Sequence, residues 1–216
     1  MPYPADHKAK TRARIVQHAR VLFNKRGFDQ VSIDDVMKAA GLTRGGFYHH
    51  FASKDDLYAE AVRSFSSCNP FAKARAELDH EPSRVELAKM LVRLYLADET
   101  LEDVEVHCPL VALPSDVARA GLKPRAAYTQ IVQSMLRVFR SAFPETDPRR
   151  EEKARLVLNL CVGGMVIART TDDPELRKSL RAAARAEGLA LLSGDGKVQE
   201  TEKERAPSRR RATVTR

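Results

Sequence analysis

The sequence predicts an all-α protein, a small N-terminal three-helix helix-turn-helix head followed by a larger helical bundle. Three observations carry this. Ala, Leu, Arg, Glu and Lys, all good helix formers, are plentiful among the 216 residues. No segment shows the dense Val/Ile/Thr alternation of a strand. Three helix-capping starts, at Ser32, Thr43 and Ser53, crowd one short stretch and force sharp turns between short helices.

The first helix is expected from about Lys10 to Arg26. Ile15, Ala19, Leu22 and Phe23 recur there at helical spacing, and Gly27 supplies the stop. Ser32 caps the second, with Asp35 at the third helical position and Val31 placed to staple onto Val36. Its inward stripe is Ile33, Val36, Met37 and Ala40, and Gly41 ends it. Thr43 then caps a short third helix, Arg44 to His50, which buries Phe47 and Phe51. Ser53 and Asp56 form a box opening a fourth, with Leu57, Ala61 and Phe65 facing inward.

A break at Cys68-Asn69-Pro70 follows the fourth helix, and a second lies near Glu81-Pro82. Ser83 and Glu86 box the start of a helix through Leu96, and Cys108-Pro109 opens a shorter one ending near Gly121. Lys123-Pro124 begins another, with Tyr128, Ile131, Met135, Leu136 and Phe139 at helical spacing and Pro144 beyond its end. Two more run from about Arg150 to Arg169 and Pro174 to Leu192. The first is apolar almost all round its second half, which implies burial on every side. Gly163-Gly164 within it implies a close helix approach, across a dimer. The division is therefore a head at residues 8–68, a body at 69–192, and a disordered tail at 193–216 made basic by Arg209, Arg210 and Arg211.

A formal net charge of +8 suits an anionic partner. Cys68, Cys108 and Cys161 are an odd set without CxxC spacing, which fits a reducing cytoplasm better than a disulfide framework or a zinc site. The charged N-terminus is no signal peptide, and Leu156 to Ala168 falls short of the roughly 20 residues a spanning helix needs. No membrane association, metal or cofactor is expected. The adjacent His49 and His50 do not converge on one face of a helix. P-loop, Rossmann, GxSxG and HExxH patterns are missing, so no catalytic residue is assigned and an enzyme is not expected.

The segment VSIDDVMKAAGLTRGGFYHHFASKDDL, Val31 to Leu57, with LFNKRGFDQVS before it, resembles the DNA-binding head of the tetracycline-repressor (TetR) family. The run Phe47 through Lys54 is its specific part. The resemblance implies a transcriptional repressor and homodimer on palindromic double-stranded operator DNA. It also implies a helical body that senses a small-molecule effector and dimerises through its last two helices. A helical ligand-binding protein without DNA binding is the alternative.

DNA contacts are expected from Ser32, Thr43, Arg44, Gly45, Gly46, Tyr48, His49 and Lys54. Ser32, Thr43 and the capped helix starts suit phosphates. Arg44 is the candidate base reader, because a guanidinium can bond guanine twice. Gly45 and Gly46 let the backbone come close to DNA, and Lys54 meets a phosphate. One departure is Asp34-Asp35 early in the second helix, where carboxylates cannot hold phosphate.

HCPLVALPSDVARAG, His107 to Gly121, resembles a branch of the same family in which some members respond to electrophiles or oxidants. Cys108 stands at a Pro-started helix whose dipole favours a thiolate, so it is the candidate redox or electrophile sensor, against the alternative of a small packed cap. Glu105 nearby would disfavour the thiolate. Cys161 is expected to be inert core and Cys68 to sit in a loop. Tyr95, Tyr128 and Phe139 fit core positions, with a cavity wall as the other reading.

Overall fold

The computed structural model describes residues 5–68 and 70–194, and contains no strand among them. Of the tail expected at 193–216, Ser193 instead ends the last helix and Gly194 caps it, while residues 195–216, with their arginine run, lie outside the described residues, as does the Cys68 side chain. The head comprises α1 (Ala5–Arg26), α2 (Ile33–Ala39), a 3-10 helix (Arg44–His49) and α3 (Lys54–Cys68). Cys68 thus ends a helix and is not in a loop.

Two glycines make the head's turns. Gly27 has φ 79° and donates its N–H to Phe23 O at 2.8 Å, closing α1, and Gly41 has φ 67° between α2 and the 3-10 helix. Only glycine enters that backbone region without cost. Ser32 forms its full box, and Ser53 forms the capping bond. Asp35 N donates to Ser32 Oγ at 3.0 Å, and Asp56 N to Ser53 Oγ at 3.1 Å. Thr43 adopts the extended cap backbone, but its side chain makes no capping bond.

Packing then fixes the helix angles. Phe23, Phe28 and Tyr58 cluster, with Phe28 and Tyr58 rings 4.6 Å apart, while Phe47 and Phe51 stack at 5.6 Å. Arg12 of α1 ties the head together. Its guanidinium bonds Glu60 and the His50 carbonyl and lies 4.0 Å from the Phe51 ring centre.

The body holds α4 (Pro70–Ala76), α5 (Arg84–Tyr95), α6 (Asp98–Glu102), a 3-10 turn (Val104–Val106), α7 (Pro109–Ala112), α8 (Pro114–Arg119), α9 (Leu122–Ser141), α10 (Arg150–Thr170) and α11 (Pro174–Ser193). The expected single helix from Cys108 to Gly121 is two, because Pro114 has no N–H to continue the first. Head and body share one core, since α3 packs along α9.

The α10–α11 hairpin differs from expectation in two ways. Gly164 makes its close approach within the chain: a Cβ there would stand 2.7 Å from Ala184 Cβ, whereas one on Gly163 would meet nothing within 4 Å. Nor is α10 buried on every side. Leu156, Leu160 and Gly163 are half-buried and Ile167 is 52% exposed, one stripe at helical spacing facing away from the chain. Beside it, Leu176 of α11 is 46% exposed and Ala183 is exposed. The opposite face of α11 buries Arg181, which bonds Leu96 O and Asp98 and so pins α11 to the end of α5.

Candidate nucleic-acid interface and body cavity

Phe47 is fully buried, and the 3-10 backbone therefore turns its neighbours outward: Arg44, Gly45 and His49 are exposed, and Tyr48 is 62% exposed. These four, with Thr43, form one solvent-facing ridge. The glycines are informative because the fold does not require them. Neither has positive φ; a Cβ on Gly45 would meet nothing within 4 Å, and one on Gly46 would reach only Met37 Cε at 3.6 Å. Space that nothing in the chain fills is what close approach by an outside partner needs.

The charges beside the ridge are arranged in pairs. Asp34 accepts from Arg44 Nη1 at 2.9 Å, both side chains more than half exposed. Asp35 is held by Ser32, accepting from its backbone N at 2.8 Å and its hydroxyl at 2.7 Å, and these bonds lower the carboxyl's pKa. The Ser32 hydroxyl is therefore used internally, while that of Thr43 is not engaged in a cap.

Lys54 is placed differently from a free surface lysine. It is half-buried, donates to Phe28 O at 2.6 Å and lies 4.1 Å from the Phe28 ring centre. Burial lowers its pKa, against the pull of Asp29, Asp55 and Asp35. The ammonium latches the start of α3 onto the α1–α2 turn, leaving its remaining N–H donors for the outside.

The second feature is a largely apolar body cavity of about 240 Å³. Phe65, Phe71, Leu91, Met135 and Met165 supply much of the wall, and Tyr95, His107 and Cys108 line it too. Of the aromatics considered for this role, Tyr95 is on the wall. Tyr128, whose hydroxyl donates to Leu110 O at 3.3 Å, and Phe139 are not.

Cys108 corrects the thiolate expectation. Its thiol is buried, α7 behind it is only four residues long, and burial pushes its pKa up to about 11. Desolvation outweighs one turn of helix dipole. Glu105 is not the cause, since its carboxylate is bound to Lys25 at 2.7 Å. Cys161 is inert core as expected, its thiol pushed up to about 12 by burial.

One residue that sequence reasoning passed over is His107, 1% exposed. It stood in the HCP segment, but attention to the cysteine hid it. Another is Asn24 of α1. This buried amide donates to Val104 O at 3.2 Å and to His107 O at 3.1 Å. Arg20 adds a bond to Glu105 O at 2.7 Å. The segment from Val104 to His107, which leads into the cavity wall at its end, is thus clamped to the first helix of the head. Lys123 of α9 adds a second tie, to Asp56 of α3 at 2.5 Å.

No helix among the described residues is long and apolar enough to cross a membrane, and no cluster of potential metal ligands occurs among them.

Residues 15–61 match the bacterial regulatory proteins of the tetR family. The HTH-type transcriptional repressor KstR2 of Mycobacterium tuberculosis (strain CDC 1551 / Oshkosh) is 31% identical over 120 residues, 55% of this chain and 57% of that protein. The HTH-type transcriptional regulator AcrR of Shigella flexneri is 43% identical over 51 residues, 24% of each. The chain thus spans little more than half of the first relative's length, 57%. The reduced form of E. coli NemR superposes with a TM-score of 0.66 at 16% identity, covering 82% of this chain and 96% of that one. SCO4454, a TetR-family transcriptional regulator from Streptomyces coelicolor, gives 0.64 at 22%, covering 89% and 97%. At these identities the structural likeness establishes the fold, a helix-turn-helix head on a helical body.

Proposed function

Because residues 15–61 match the tetR family of bacterial regulatory proteins, we propose that the chain is a DNA-binding transcriptional repressor of that family, released from its operator by a small molecule in the body cavity. The observation that carries the reading is the exposed ridge Thr43–His49, whose two glycines leave room that the fold itself does not use. Its short helix enters the major groove, with Arg44 reaching a base edge and Thr43, Tyr48 and Lys54 meeting phosphate. Ser32 acts by holding the start of α2, and His49 flanks the contact. The chain acts as a homodimer on a palindromic site, because a two-fold protein reads a two-fold sequence. Cytoplasmic location follows from that partner.

Release is driven through the clamp. A molecule that displaces His107 or Cys108 moves the carbonyls that Asn24 holds, and with them α1 and the spacing of two heads. The test is binding of the full chain to chromosomal fragments of its source at graded salt. Specific retardation is expected, with affinity falling about 10³-fold between about 50 and about 200 mM salt for a protein making about six phosphate contacts. Retardation at no salt concentration, with small molecules still bound, would instead support a helical ligand-binding protein.

A thiol-reactive signal at Cys108 is a second reading, favoured by the thiol's place on the cavity wall. Its raised pKa works against it. The thiolate, which attacks electrophiles, appears only as pH rises toward about 11. At neutral pH the thiolate fraction is roughly a hundredfold below that of an unburied cysteine. N-ethylmaleimide labelling of Cys108, followed by mass spectrometry, is expected to be slow at about pH 7 and to rise about tenfold per pH unit through about pH 9. Labelling at neutral pH as fast as free cysteine, with operator release lost in Cys108→Ser, would move the thiol-reactive signal to the front.

A further inference from the structure

Most polar groups on the cavity wall are already engaged. Thr100 Oγ1 donates to Leu94 O at 2.6 Å, Ser134 accepts from Arg137 at 2.7 Å, and Ser66 has a partner. Two are not. The Tyr95 hydroxyl finds no oxygen or nitrogen partner within the protein and meets the Cys108 thiol, a weak acceptor, and Tyr95 is 7% exposed. His107 Nδ1 also has none. Its other nitrogen, Nε2, lies 3.1 Å from Leu101 O and must donate to it. The ring is held neutral by burial, which lowers its pKa against the pull of the Leu101 and Thr100 backbone and of Asp103. Nδ1 is therefore a bare acceptor, and the tyrosine a donor in want of an acceptor.

Unpaired buried polar atoms are costly and rare, so two on one wall call for an occupant that satisfies both. A hydroxyl is the smallest group that does, accepting with one lone pair and donating with its hydrogen. A ketone would leave His107 unpaired. A carboxylate would bring a charge to a wall on which no described lining residue is charged, and Arg169, whose charge His107 feels, is turned to Val111 O at 3.0 Å. Size follows from volume. Benzene, with six non-hydrogen atoms, fills an engineered cavity of about 150 Å³.

We propose that the effector is a neutral, largely apolar molecule of about ten non-hydrogen atoms bearing one hydroxyl, an alcohol or a phenol, held between Tyr95 and His107. The proposal rests on the cavity being the effector site and adds the chemistry that this site reads.

The experiment is calorimetric titration of the full chain with 4-propylphenol, propylbenzene and 4-propylbenzoate. The phenol is expected to bind about tenfold more tightly than propylbenzene, and the benzoate not to bind. Tyr95→Phe is expected to bring the phenol down to the level of propylbenzene while leaving propylbenzene unchanged, which also shows that the variant folds. His107→Leu is expected to do the same if it folds, and Tyr95→Phe decides if it does not. Equal affinity for phenol and propylbenzene, or tighter binding of the benzoate, overturns the hydroxyl class while leaving the cavity a ligand site. Binding of none of the three overturns both this class and the cavity reading beneath it.

Discussion

Ile167→Glu is expected to convert the proposed homodimer into a folded monomer and to lower affinity for a full operator by about 10²–10⁴-fold, the gain that coupling two half-sites supplies. Ile167 is 52% exposed and completes the stripe that begins at Leu156, beside the exposed Leu176 and Ala183 of α11. An apolar stripe on two antiparallel helices suits a four-helix packing with a second copy. A carboxylate placed in it would be buried unpaired on association, which is strongly unfavourable, yet in the monomer it would sit in water. The two glycines sharpen the test. Gly163→Leu fills open space in the single chain and is expected to split the dimer without lowering the monomer's stability. Gly164→Ala sets a methyl 2.7 Å from Ala184 Cβ and is expected to destabilise the chain itself, by about 1–3 kcal/mol. Light scattering and thermal melts separate these outcomes. An Ile167→Glu protein that remains dimeric would place the interface elsewhere.

What could be read ahead of the structure was what local chemistry decides. The caps at Ser32, Ser53 and Ser83 each involve residues three apart, and all three capping bonds form. Phe47 and Phe51 likewise follow from spacing alone. Whatever depends on residues distant in the chain was not legible. Lys54 looked like a free cation because its acceptor, the Phe28 carbonyl, lies 26 residues away. Cys108 looked activated because the dipole of α7 is local, whereas the burial that raises its pKa exists only once the chain has folded. Gly164 pointed to a close approach, but only the fold says that Ala184 of the same chain is the partner. The 3-10 turn at Val104–Val106 is too short to show a period, although it carries a carbonyl that Asn24 clamps.

The ridge offers the sharper test of DNA recognition, because stability and binding should move in opposite directions there. Gly45→Ala adds a methyl that meets nothing in the chain, at a residue whose φ is ordinary. Removing a glycine's backbone freedom stabilises a fold by about 0.4–1 kcal/mol where the new residue fits, so the melting temperature should hold or rise. Operator affinity should nevertheless fall, since the methyl occupies the space where DNA backbone or base edge comes close. Arg44→Ala should cost about 1–3 kcal/mol per half-site, about ten- to a hundredfold, and relax the preference at one position of the operator. Asp34→Asn should act the other way. It frees Arg44 from its 2.9 Å partner and removes a negative charge beside the phosphates, so binding to every sequence should tighten without a gain in discrimination. Measuring all three against operator and random duplex at one fixed salt separates the base contact from the charge. If Gly45→Ala bound operator as well as the parent, the Thr43–His49 ridge would not be the surface that meets DNA.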